Sequence, residues 1–163
     1  MTEKFTAKKF LEKVVINSGV GRLSQQPSFE DKVLPMVMRD VAILGGQKPQ
    51  VRKAKKSIAG FKIRENQIVG VRATLRGDKM VDFFERFITI ALPRVRDFTG
   101  LSVESVDRGG VLNVGMKEHL VFPEINPEDT TLIFPLQITI VPKLKDREKA
   151  LAGFKSLGVP FKK

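Results

Sequence analysis

Two alternating stretches constrain this chain more than anything else in it. In residues 12–18, EKVVINS, Val14 and Ile16 fall in one phase while Lys13, Val15 and Asn17 fall in the other. In residues 68–77, IVGVRATLRG, the apolar phase is Val69, Val71, Ala73 and Leu75, and the opposite phase is Gly70, Arg72, Thr74 and Arg76. A period of two buries all of the apolar set only on one face of a β-sheet. The sheet must therefore bury one side and present Lys, Asn, Arg and Thr on the other.

Between these strands the spacing predicts a helix that starts close to Pro35, carries Val37, Val41 and Leu44 inward, and stops at Gly45 and Gly46. Ser28 and Asp31 have the spacing of a capping box ahead of it. A second helix is expected from a cap at Asp78 to Leu92, ended by Pro93, with Met80, Phe83, Phe84, Phe87, Ile88 and Ala91 as its buried stripe. VLNVGM, HLVF and LQITIV read as strands, and Asp146 caps a last helix carrying Ala150, Leu151, Phe154 and Leu157, with Gly158 as its stop. Strands in excess of helices, without a regular βαβ alternation, predict an α+β fold: one mainly antiparallel sheet, helices packed on one side, and a long basic loop at about 53–67. No linker divides residues 1–163, so one domain is expected.

Charge narrows the partner. The formal net charge is +11, and seven cations (Lys48, Arg52, Lys53, Lys55, Lys56, Lys62 and Arg64) occupy residues 48–64 without one acid. Such a cluster repels itself unless a polyanion neutralises it, and nucleic acid is the obvious one. The apolar runs are too short or too interrupted to span a bilayer and no signal-peptide region follows the N-terminal lysines, so a soluble, unprocessed protein without a membrane partner is expected. In contrast, residues 118–142 contain no Lys or Arg and carry Glu118, Glu124, Glu128 and Asp129, a stretch unsuited to phosphate but able to meet a basic protein.

Chemistry is excluded by what is missing. The chain has no cysteine and a single histidine, His119, so thiol catalysis and a protein-only zinc site are out of reach. His119 reads as a surface or half-buried strand residue with no oriented partner. The GVG at residues 19–21 lacks the remainder of any phosphate-cradling motif. The expectation is a binding protein without a catalytic residue, metal or cofactor. A phosphate-processing enzyme on a basic scaffold and a free RNA chaperone or regulatory protein are the competing readings. Phe61, in the basic loop, is expected to anchor that loop to the body by burial.

The strings VVINSGVG, GGQKP, RKAKKSIAGFKIRE, VRATLRGDKM, FFERFITIALPRVRDFTGLS and FPEI, in this order, closely resemble the universal large-subunit ribosomal protein L-five family, from about Val14 to Phe161. The resemblance implies a ferredoxin-like α+β protein that attaches 5S rRNA to the large subunit in the central protuberance, working on a cytoplasmic or organellar ribosome. The family residues that contact 5S rRNA fall on Asn17, Gln47 and Thr74, joined here by Lys48 and by the outward-phase Lys13, Arg72 and Arg76. The loop would reach P-site tRNA through Lys53, Lys55, Lys56, Ser57, Lys62 and Arg64. Other partners implied are large-subunit rRNA and, through an edge near the acidic 118–129 region, the small-subunit head protein S-thirteen. The chain departs from the family at Thr99, where Arg is common, at DRGG (107–110), where DGRG is usual, and at NPEDTTLIFP, which lacks the family's basic residues. The dozen residues before the first strand are also fewer than the helical segment the family carries there.

Overall fold

The computed structural model describes residues 2–162. Four helices and five strands follow the order α1 (Thr2–Phe10), β1 (Leu11–Gly19), α2 (Leu34–Gly45), β2 (Gln50–Lys53), β3 (Ile68–Leu75), α3 (Gly77–Arg86), β4 (Leu112–Met116), β5 (Leu136–Pro142) and α4 (Arg147–Ser156). The strands form one sheet in the order β2-β3-β1-β5-β4, and every neighbouring pair is antiparallel. The α+β expectation holds.

Register turns the alternation into two faces. Val14 lies opposite Leu75 and Ile140, and Ile16 opposite Ala73 and Ile138. Leu112 and Val114 extend these two rows on β4. All are buried, and α2 and α3 pack on this side with Val37, Val41, Leu44, Met80, Phe83 and Phe84 inward. Each buried Phe or Leu contributes about 1.5–3 kcal/mol relative to exposure, so the rows fix strand register firmly. A slip of one residue would carry Val14 and Ile16 into water.

Local signals decide the helices. α2 has Pro35 in its first turn, where a missing N–H costs nothing, and ends at Gly46 with φ 62°, a left-handed position that glycine adopts without strain. The proposed capping box is not formed: Ser28 itself sits at φ 64°, its side chain caps nothing, and a π-helical turn over Phe29–Val33 leads into α2 instead. α3 continues through a π-helical turn (Phe87–Ala91) and a 3-10 turn (Leu92–Arg94), which gives the expected helical path as far as Pro93. Its stripe is as expected, with Val81 added and Ile88 only half-buried. Asp78 is not a cap but a first-turn acid, 2.6 Å from Lys8, whose ammonium holds the carboxyl below its ordinary range. Asp146 does cap α4, accepting from the Lys149 N–H at 3.1 Å.

The segment before the first strand forms the helix α1. One further expectation is corrected. The segment HLVF is no strand: His119–Val121 forms a 3-10 turn, because His119 turns inward to a buried carboxylate on α2.

The DRGG turn is a tight closure. The Asp107 N–H donates to the Val111 carbonyl, its carbonyl accepts from the Gly110 N–H, its Oδ1 accepts from the Val111 N–H at 2.8 Å, and Gly110 stands at φ 81°. A Cβ there would lie 2.8 Å from the Ala150 Cβ and 3.1 Å from two backbone oxygens of the segment leading into α4. Gly110→Ala should therefore destabilise the protein by about 2 kcal/mol through backbone strain and overpacking, lowering the urea midpoint at unchanged m-value. Gly109→Ala, which meets only Asp107 Oδ1 at 3.4 Å and needs no left-handed backbone, should cost far less.

Candidate nucleic-acid interface

The other face of the sheet is open and polar. Asn17 lies opposite Arg72 and Gln137, and Arg72 lies opposite Gln50. In the adjacent row Val15 lies between Thr74 and Thr139. This face forms an open concavity of about 570 Å³, lined by Lys13, Gln47, Lys48, Arg72, Thr74 and Arg76 among others. Six of the seven residues assigned to rRNA from sequence are thus gathered around one hollow. The seventh, Asn17, stands beside it on the same face.

The hollow is braced and electropositive. Gln47 reaches it from the α2–β2 connection, its Nε2 donating to the Thr74 carbonyl at 2.7 Å, which holds Lys48 beside the sheet. Thr139 Oγ1 and Asn113 Oδ1 are bonded at 2.9 Å and extend the polar strip toward β4. Among the described residues no carboxylate lines the hollow. Lys13 Nζ lies 3.6 Å from Glu12, a half-exposed pair whose attraction of under about 1 kcal/mol does not withhold it from a stronger anion. Gln50, Thr139 and Arg52, on this same face, were not assigned from sequence. LQITIV put Thr139 in an outward phase, so that signal was present. For Arg52 and Gln50 the four residues of β2 are too few to show phase.

Chemically, such a face is suited to nucleic-acid backbones rather than to base edges. Its lining has no aromatic ring on which a base could stack, but it offers hydroxyl, amide, ammonium and guanidinium groups suited to phosphates and 2′-hydroxyls of a paired RNA segment.

The basic loop between β2 and β3 has a defined shape. Ala54 and Asn66 continue the ladder (Ala54 N–H to Gln67 O, 2.8 Å; Asn66 N–H to Ala54 O, 2.9 Å), and Ile58 and Ile63 exchange two bonds of 2.9 and 3.1 Å. Between them Ala59–Phe61 makes a 3-10 turn and Lys62 stands at φ 54°. Two side-chain bonds tie the loop to the segment after β1: Gln25 Nε2 to the Phe61 carbonyl at 3.3 Å and Gln67 Nε2 to Ser24 Oγ at 2.7 Å. Lys53, Lys55, Lys56, Lys62 and Arg64 are exposed and meet no carboxylate among the described residues. Ser57 holds the turn, its Oγ accepting from the Glu65 N–H at 2.9 Å. Phe61 overturns its expected role as an anchor: it is 70% exposed, because the tether uses its carbonyl and leaves the ring outside.

The acidic region is folded back on the helices. Glu124 pairs with Arg86, and Arg39 Nη2 donates to the Asp129 carbonyl at 3.1 Å, while Glu118, Glu128 and Asp129 remain exposed. Its histidine is not on the surface. His119 is fully buried, stacked on Phe134 with ring centroids 3.8 Å apart. Its Nδ1 accepts from the Phe134 N–H at 3.5 Å, which puts the proton of the neutral ring on Nε2, 3.2 Å from Asp40 Oδ2 but outside hydrogen-bond alignment. Burial pushes the imidazole below its ordinary range, against the opposing pull of Asp40. Among the described residues no three metal-ligating side chains converge, and no helix is long and apolar enough to cross a membrane.

Two family models match the chain: "Ribosomal protein L5" over residues 8–64, and the model for the C-terminus of the same ribosomal family over residues 68–161. Among curated relatives, the chain is 47% identical over 152 residues to "Large ribosomal subunit protein uL5" of Rubrobacter xylanophilus, covering 93% of this chain and 82% of that one. It is 42% identical over 159 residues to the protein of the same name from Halothermothrix orenii (98% and 87% covered). It is 45% identical over 151 residues to "Large ribosomal subunit protein uL5c" of Tetradesmus obliquus (93% and 82% covered). The boundary between the two family models falls at the end of the basic loop.

Proposed function

The chain belongs to the Ribosomal protein L5 family, and from that membership we propose that its open sheet face binds 5S rRNA and holds it in the central protuberance. It is a structural constituent of the large ribosomal subunit and not an enzyme. The finer reading rests on one observation: Lys13, Gln47, Lys48, Arg72, Thr74 and Arg76 line a single concavity free of carboxylates among the described residues, with Asn17 beside it. Cations at its rim neutralise phosphates, while Asn17, Thr74 and Gln47 supply the short donors and acceptors that a 2′-hydroxyl requires. The basic loop, with Lys53, Lys55, Lys56, Ser57, Lys62 and Arg64, contacts P-site tRNA. The exposed acids Glu118 and Glu128 face the basic small-subunit head protein S-thirteen.

Two assays with purified protein test the division of labour. Binding to 5S rRNA should weaken by roughly 0.7 to 0.9 log units per log unit of salt for each phosphate neutralised, the signature of counterion release. Lys55→Ala with Lys56→Ala should leave that binding within about twofold and weaken tRNA binding several-fold, since neither lysine lines the sheet concavity. Equal losses in both assays would refute separate surfaces.

A further inference from the structure

We propose that Phe61 is a base-stacking contact residue: the tip of the basic loop takes an unstacked RNA nucleobase onto its ring, with Ile58 beside it, while the surrounding cations hold the flanking phosphates. This rests on the reading of the loop as an RNA contact and specifies what the tip recognises.

Phe61 is the most exposed large apolar side chain described, at 70%, and Ile58, at 47%, belongs to the same tip. A Phe left in water forgoes about 2 kcal/mol of burial, and here the ring is not a single scattered apolar group but shares its turn with exposed Ile58. Local geometry keeps it there. The Ile58–Ile63 bridge closes the loop below it, the 3-10 turn lifts residues 59–61, and the strained left-handed Lys62 reverses the chain directly after it. Gln25 fixes the Phe61 carbonyl, which orders the backbone without covering the ring.

The same loop carries Lys55, Lys56, Lys62 and Arg64, all exposed and without carboxylate partners among the described residues. A flat apolar ring within a cluster of cations matches a nucleotide, whose base supplies a π-face and whose backbone supplies the anion. An acidic peptide would satisfy the cations but leave the ring unused. An anionic lipid surface favours a broad apolar face, whereas this tip offers one ring and one aliphatic side chain. The tip also differs from the sheet face, which has no ring among its lining residues. Paired RNA suits the sheet, and an extruded or loop base suits the tip.

The test uses the full chain and a tRNA carrying 2-aminopurine at one unpaired base of its elbow, with excess fully paired RNA present to occupy the sheet face. Binding of the parent should quench the 2-aminopurine by stacking. Phe61→Ala should weaken binding by roughly 10-fold and abolish the quench, Phe61→Leu should lose nearly as much, and Phe61→Trp should restore both. Because the ring is exposed, these variants keep the core intact. If Phe61→Ala binds and quenches like the parent while Lys55→Ala with Lys56→Ala weakens binding, the loop meets RNA through charge alone. The inference then fails and the loop reading stands. If neither set changes tRNA binding, both fail. Loss of Phe61→Ala binding to phosphatidylserine vesicles, with tRNA binding unchanged, would assign the ring to lipid and overturn the inference.

Discussion

Combining Thr74→Val with Asn17→Ala should weaken 5S rRNA binding by roughly 10- to 100-fold while leaving the stability of the protein within about 0.5 kcal/mol. Both side chains lie half-buried on the open face, in rows flanked by Arg72 and Thr139, and the substitutions remove one hydroxyl and one amide without touching the apolar rows. Valine keeps the β-branched shape that suits a strand. The salt dependence separates this effect from a loss of charge. The double variant should show the parent's slope displaced to weaker binding, because it gives up hydrogen bonds and no counterion release. Arg72→Ala should instead flatten the slope by about 0.7 to 0.9 if the guanidinium neutralises one phosphate. Gln47→Ala should do more than either single polar change, since its Nε2 also braces the Thr74 carbonyl and keeps Lys48 at the rim. Parent-like binding by the double variant would remove the sheet face from consideration as the 5S site.

These assignments show where sequence carries structural information. Lys13, Asn17, Arg72 and Thr74 were legible because a strand has a period of two: once Val14, Ile16, Ala73 and Leu75 must be buried, the others must face away. Met80, Phe83, Phe84 and Phe87 were legible by the helical period in the same way. Gln47 has no such periodic neighbour, and only the family resemblance pointed to it, since its role depends on how the connection after α2 folds across β3. The errors have the same origin. HLVF is apolar enough for a strand, but a run so short has no period, and whether it extends or turns is decided by Asp40, 79 residues earlier. Average burial predicts an inward Phe61, but a loop closed by its own backbone bridge need not bury its tip. Ser28 had the spacing of a cap, but its left-handed backbone and the π-helical turn after it lead the chain into α2 by another route.

The buried contact between Asp40 and His119 sets the second large expectation. Asp40, 1% exposed, accepts from Arg39 Nε at 3.1 Å and from the Thr130 hydroxyl at 3.3 Å, and His119 Nε2 lies 3.2 Å from it outside hydrogen-bond alignment. It thereby fastens both ends of the 119–130 segment to α2. Asp40→Ala should cost about 3 kcal/mol, since His119 and Thr130 would remain buried without the carboxylate, while half-exposed Arg39 can turn to water. Urea denaturation at neutral pH gives the loss, and faster hydrogen exchange at the Phe134 amide, which donates to His119 Nδ1, localises it. The imidazole adds a pH signature. Its folded-state pKa lies below the ordinary 6.5, so an unfolded chain takes up a proton that the folded chain refuses. The stability this confers is full above pH 6.5 and is lost as pH falls from there through the depressed folded value. His119→Phe keeps a ring against Phe134 and removes this titration. Subtracting its stability curve from the parent's cancels the carboxylates common to both. The difference should be flat above neutrality and should decline in mild acid. Parallel curves down to the acid limit of folding would mean that the imidazole titrates alike in both states and that Asp40 holds it by packing alone.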